Sequence, residues 1–92
     1  MRSMPRIVFT AQLQRFVEAP DCEVTAPVLR EALAQAFDAH PRLRGYVLDD
    51  QGHLRVNVVI YVDGRVVHDR QRLDQALQPA SVVHVLQALS GG

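Results

Sequence analysis

The groups in this chain that could do chemistry are few, and the most telling pair stands at its end, Gly91 and Gly92. At an average glycine usage of about 7%, a terminal pair arises by chance in roughly one chain in two hundred. Glycine has no side chain, so such an end can thread a narrow channel in another protein and take backbone conformations closed to other residues. The reactive group would be the α-carboxylate of Gly92. A carboxylate is a poor acyl electrophile because its oxygen leaves badly, and the simplest activation is an acyl-adenylate made from ATP and Mg²⁺. The chain carries no G-x-x-x-x-G-K-S/T loop and no lysine at all, so activation is expected in trans, by a partner, with no cofactor held by the chain itself. A frayed or scarred end is the plain alternative for the glycine pair.

The remaining candidates read as structure. Cys22 is the single cysteine, and a small buried thiol on a strand is a commoner role for it than a nucleophile, since no histidine stands at an evident catalytic spacing. His40, His53, His68 and His84 are 13, 15 and 16 residues apart, without the close pairs that zinc sites show, so no metal is expected. Asp49 and Asp50 fit turn chemistry. The Arg42, Leu43, Arg44, Gly45 stretch mimics a ubiquitin tail but is internal.

The elements that must position the end follow from periodicity. Ile7, Phe9, Ala11 and Leu13 alternate with Val8, Thr10, Gln12 and Gln14, predicting a first strand. After a turn at residues 18–21, Cys22, Val24 and Ala26 predict a second, antiparallel to the first. Leu29, Ala32, Leu33, Ala36 and Phe37 fall at helical spacing, with Thr25 or Ala26 as cap, Pro27 in the first turn and an end near Ala39 before Pro41. Tyr46 to Leu48 reads as a brief extended piece before a turn at residues 49–52. Leu54 to Val62 predicts a strand covered on both sides, with Val56, Val58, Ile60 and Val62 on one face and Val59 and Tyr61 on the other. Asp63-Gly64 signals a tight hairpin into a return strand at Arg65 to His68. Leu73 to Leu77 suggests a helical turn before Pro79, and Ser81 to Leu89 a last strand.

This order predicts an α+β chain of β-grasp (ubiquitin-like) type: a mixed sheet of four to five strands with one main helix packed on one face. Residues 1–89 are expected to form a single domain and residues 90–92 a flexible Ser-Gly-Gly tail leaving the sheet. Composition sets the class. Ninety-two residues, 48% hydrophobic and 22% charged, allow one small core. Ten arginines balance ten acidic residues to zero net charge, where a nucleic-acid binder would show a basic excess. The longest apolar run, residues 58–62, is far short of the ~20 residues of a membrane span. One cysteine and an N-terminus without an apolar leader favour a reducing, cytoplasmic setting.

The element order, the Val59-Ile60-Tyr61-Val62-Asp63-Gly64 segment and the ending Val85-Leu86-Gln87-Ala88-Leu89-Ser90-Gly91-Gly92 together resemble the MoaD/ThiS family of ubiquitin-like sulfur-carrier proteins, over essentially the whole chain. The resemblance implies a protein cosubstrate rather than an enzyme. Its terminal glycine, here Gly92, is adenylated by an enzyme of the ubiquitin-activating type and converted to a thiocarboxylate with sulfur from a sulfurtransferase or persulfide donor. A sulfur-accepting synthase then uses it for molybdopterin, thiamin thiazole, cysteine or another thio-metabolite. By position, Gly91 and Ser90 would thread the partner's channel, and Leu86, Ala88 and Leu89 would dock on partners. The extra length at Leu43 to Arg55 makes molybdopterin-type or cysteine-type carriers look closer than thiazole-type ones. Two alternatives stand beside the carrier: the small subunit of a molybdopterin synthase complex, and a ubiquitin-like interaction module with an inert tail.

Overall fold

The structure is a computed structural model that describes residues 4–87. The Ser-Gly-Gly tail, Ala88 and Leu89 therefore lie outside the described residues. The chain forms β1 (Arg6–Phe9), a single helical turn α1 (Ala11–Gln14), β2 (Cys22–Glu23) and the main helix α2 (Leu29–Ala39). A 3₁₀ turn at Pro41–Leu43, a short α3 (Arg44–Val47), β3 (Val58–Val62), β4 (Arg65–Val66) and β5 (Val82–Gln87) complete it.

The five strands form one mixed sheet in the order β2-β1-β5-β3-β4, with β1 and β5 parallel and every other pair antiparallel. First and last strands are neighbours at the centre, and α2 packs across one face, which is the β-grasp architecture. Ile7, Phe9, Val58, Ile60, Val62, Val83 and Val85 point to that face, where Leu29, Ala32, Leu33, Ala36 and Phe37 of α2 meet them, all buried. Removing such side chains from water is the main favourable term in folding. No helix among the described residues is long and apolar enough to cross a membrane.

Several elements depart from the sequence expectation, each for a local reason. The first strand stops at Phe9 rather than running to Leu13, and residues 11–14 coil into one helical turn. Ala and Gln favour helix over strand, Leu13 is buried all the same, and the Gln14 side chain donates to the Phe9 carbonyl at 3.0 Å. The second strand is two residues long, although Val24 and Ala26 beyond it are buried as expected. Of the piece expected to be extended from Tyr46 to Leu48, Tyr46 and Val47 are helical, within α3, and only Leu48 is extended, bridged to Leu54. Leu43 and Val47, both fully buried, stand four apart, a helical spacing that the glycine between them disguised.

The strand expected from Leu54 begins only at Val58, whose N–H closes a turn on the Arg55 carbonyl at 3.0 Å, and Val56 is 95% exposed. Leu73 to Leu77 does not coil. It runs beside the start of α2 and caps it: the Leu29 N–H donates to the Gln75 carbonyl at 2.8 Å and the Arg30 N–H to the Leu73 carbonyl at 2.7 Å. The expected Thr25 or Ala26 cap is thus replaced by main-chain carbonyls, with Val28 in the cap position, satisfying orphan donors of the first turn. Leu73 takes φ +54° to present its carbonyl, held there by a side chain 2% exposed.

Candidate functional site

The site is built from the last strand outward. β5 is the central strand, paired with β1 from Arg6↔Val82 to Phe9↔Val85 and with β3 from Val58↔Gln87 to Val62↔Val83. Two neighbours hold residues 82–85, and Leu86 and Gln87, from which the C-terminal segment leaves, are held by β3 alone. Its start is fixed by a clamp from the β3–β4 turn. Asp63 and Gly64 both take positive φ, +51° and +82°, as a type I′ hairpin turn requires. That conformation aims the Asp63 carboxylate at the Val82 N–H (2.9 Å) and the Ser81 hydroxyl (2.8 Å). Ser81, buried, accepts in turn from the Gln78 N–H at 2.8 Å. The Val82 N–H and the Ser81 hydroxyl hold the Asp63 carboxyl below its ordinary pKa.

Because side chains alternate across a strand, β5 sends Val83 and Val85 into the core and His84 and Leu86 to the other face of the sheet. Leu86 is 36% exposed, and its cross-strand partner is Val59. His84, also exposed, lies between Val8 of β1 and Tyr61 of β3, and Tyr61 is paired onward to Val66 of β4. The row Val66, Tyr61, His84, Val8 and the pair Val59, Leu86 therefore make an apolar surface around one imidazole. No described element covers it, so the expectation that β3 is covered on both sides is corrected: Val59 and Tyr61 are apolar because that face is open. A groove of about 470 Å³ runs beside it, lined by Val8, Thr10, Ala11, Tyr61, His84 and Leu86 among others. The Thr10 hydroxyl is buried there and has no hydrogen-bond partner among the described residues.

Of the residues expected to act, the structure places Leu86 on this open face; Ala88, Leu89, Ser90, Gly91 and Gly92 follow it in sequence, outside the described residues. The sequence reading missed Val8, Val59, Tyr61 and Val66 as surface, although apolar residues on both sides of residues 58–62 were the available signal. Cys22 is half-buried on the edge strand β2. Its thiol donates to the Pro20 carbonyl at 3.3 Å, and burial first, then the charge of Asp21, push its pKa up, the opposite of an activated thiolate. Among the described residues no group of three His, Cys, Asp or Glu could hold a metal ion.

Comparison with known proteins agrees with this geometry. SAMP1 from Haloferax volcanii superposes with a TM-score of 0.81 at 20% identity, covering 98% of this chain and 100% of that one. A chain of the Amycolatopsis orientalis BexX/CysO complex gives 0.79 at 15% identity, covering 96% and 99%. Urm1 from Sulfolobus solfataricus gives 0.67 at 14% identity, covering 90% and 99%. At these identities the likeness is one of fold. Comparison with curated protein sequences gives no match. The sequence itself matches the profile of the ThiS family over residues 7–92, from the first strand through both terminal glycines. The chain thus belongs to the ThiS family, the ubiquitin-like sulfur carriers of β-grasp fold.

Proposed function

We propose that the protein carries sulfur as a thiocarboxylate on Gly92 and that the open face of the sheet seats it on its partner enzymes. The observation that carries this reading is the family match running through Gly91 and Gly92, on a chain whose preceding strand is the central one of the sheet. In the first step a Gly92 carboxylate oxygen attacks the α-phosphorus of ATP in a Mg²⁺-dependent partner of the ubiquitin-activating type, and pyrophosphate leaves. Hydrosulfide attacking the acyl-adenylate expels AMP and gives the thiocarboxylate directly. A persulfide from a sulfurtransferase gives an acyl disulfide instead, which a thiol reduces to the same product.

A thiocarboxylate is a better nucleophile than a carboxylate: its sulfur displaces a leaving group on an acceptor held by a synthase, and water then cleaves the acyl C–S bond, which frees the thiolated acceptor and regenerates the carboxylate. The chain is a cosubstrate in this cycle, and its partners supply the nucleotide and metal sites. Gly91 and Ser90 serve threading behind the reactive Gly92, while Leu86, Ala88 and Leu89 approach the partner surface. The BexX/CysO pairing of one structural neighbour supports docking on a separate enzyme. Deleting Gly91-Gly92 or adding one alanine after Gly92 should abolish adenylation while the melting temperature stays unchanged. Adenylate formation by either variant at the wild-type rate would refute the proposal.

A further inference from the structure

A second surface, on the helix side of the sheet, shares no residue with the open face. It is a half-open groove of about 470 Å³ between α2 and the loops at residues 48–53 and 71–73. Leu33, Phe37 and Leu73, all buried, form its floor with the half-buried Leu48. Arg30, Arg44 and Arg72 stand on its rim with His53, and the only carboxylate there is Asp38. Among the lining residues three guanidinium groups face one carboxylate, while Asp49 and Asp69 in the adjoining turns have their carboxylates on main-chain N–H groups.

None of these arginines has a carboxylate within 4 Å among the described residues, although the charge of Arg72 helps to hold the Asp69 carboxyl below its ordinary pKa. The one contact within 4 Å between a basic and an acidic side chain among the described residues, His40 Nδ1 to Glu18 Oε1 at 3.5 Å, lies elsewhere, and Arg30 uses Nη1 to donate to the Arg72 carbonyl at 3.2 Å. The walls are fixed before any ligand arrives. Asp49 accepts from the Gln51 and His53 N–H groups, both at 2.9 Å, and Asp69 from those of Gln71 and Arg72 at 3.1 and 2.9 Å.

That bonding narrows the occupant. Phosphates are usually cradled by free backbone N–H groups, and here four wall N–H groups are already taken by carboxylates. A small molecule also seeks a pocket that buries most of its surface, whereas this groove leaves one side of its occupant in solvent. Planar guanidinium groups around an apolar floor match carboxylates that flank an apolar side chain.

We propose that this groove binds an acidic peptide segment of a partner protein, with one aliphatic or aromatic side chain seated on Leu33, Phe37, Leu48 and Leu73 and its carboxylates on Arg30, Arg44 and Arg72. The site works independently of the carrier chemistry, so tail variants leave it intact. The test is amide chemical-shift titration of the whole chain with a short capped peptide of glutamates interrupted by one phenylalanine. Saturable shifts at residues 30–38, 44, 51–53 and 71–73, with a dissociation constant below about 1 mM, are expected. R44Q/R72Q should weaken binding at least tenfold, and raising the salt to about 1 M, where the Debye length falls to about 3 Å, should do the same to the wild type. The idea is overturned by shifts that do not saturate, by equal binding of the same peptide with glutamine for glutamate, by an unaffected double variant, or by Mg-ATP shifting these amides where the peptide does not.

Discussion

Truncating Leu86 to alanine separates a docking role from a folding role. Leu86 retains 36% of its surface in the free chain, so a partner that covers it removes about a third of a leucine from water. Full burial of a leucine is worth about 1.5–3 kcal/mol, so the exposed share is worth about 0.5–1 kcal/mol. L86A should therefore raise the KM for the carrier about two- to fivefold in pyrophosphate exchange with the host's adenylating enzyme, leaving kcat unchanged. L86D should raise it much further, because a carboxylate desolvated without a partner costs more than a lost contact. V56A is the control: Val56 is 95% exposed but lies outside the open face, and its KM should match the wild type. V56A should leave stability unchanged, whereas the Leu86 variants lose the two thirds of that side chain already packed in the free chain and should cost about 1–2 kcal/mol, so each is assayed at a temperature where it is fully folded. An unchanged KM for L86D, or a V56A effect equal to that of L86A, would refute docking through this face.

Two further substitutions probe what holds β5 in place. D63N keeps a residue that tolerates positive φ but cannot accept from both the Val82 N–H and the Ser81 hydroxyl as a carboxylate does, so its melting temperature at neutral pH should be lower than wild type. The sign of the pH dependence follows from the lowered folded-state pKa of Asp63. Its contribution is complete above the ordinary carboxylate value and is lost as pH falls through the folded one, so the gap between wild type and D63N should close below about pH 4. A gap that widens on acidification would contradict the clamp. G64A should cost about 1–2 kcal/mol in chemical denaturation, because φ is +82° and a Cβ there would meet nothing within 4 Å, leaving backbone strain as the whole effect. A neutral G64A would mean that the turn relaxes to another type.

The parts of the fold with unambiguous periods were legible in the sequence. Residues 29–39 formed the expected helix, the Asp63-Gly64 turn has the expected positive φ at both positions, and the first and last strands are neighbours. Misreadings occurred where one pattern serves two structures. Ala11 and Leu13 satisfy an alternating pattern, yet Ala11 is exposed and only Leu13 needed burial, which a helical turn supplies equally well. The role of residues 73–77 was hidden because main-chain carbonyls cap α2, a partnership no side-chain pattern encodes. The open face was visible only as apolar residues on both sides of β3; whether a second layer covers them is a tertiary fact. The arginine-rimmed groove gathers residues from three separate stretches of sequence, so no local motif could announce it.

The central claim is that Gly92 is the sulfur-bearing group, and intact mass tests it most directly. The purified chain is incubated with ATP, Mg²⁺, a sulfide or persulfide source and the host's adenylating enzyme, whose activity is verified on another carrier. A gain equal to the exchange of one oxygen for one sulfur is expected, localised by fragmentation to Gly92 and absent without ATP. An unchanged mass with active enzyme, or a gain localised to Cys22, would contradict it.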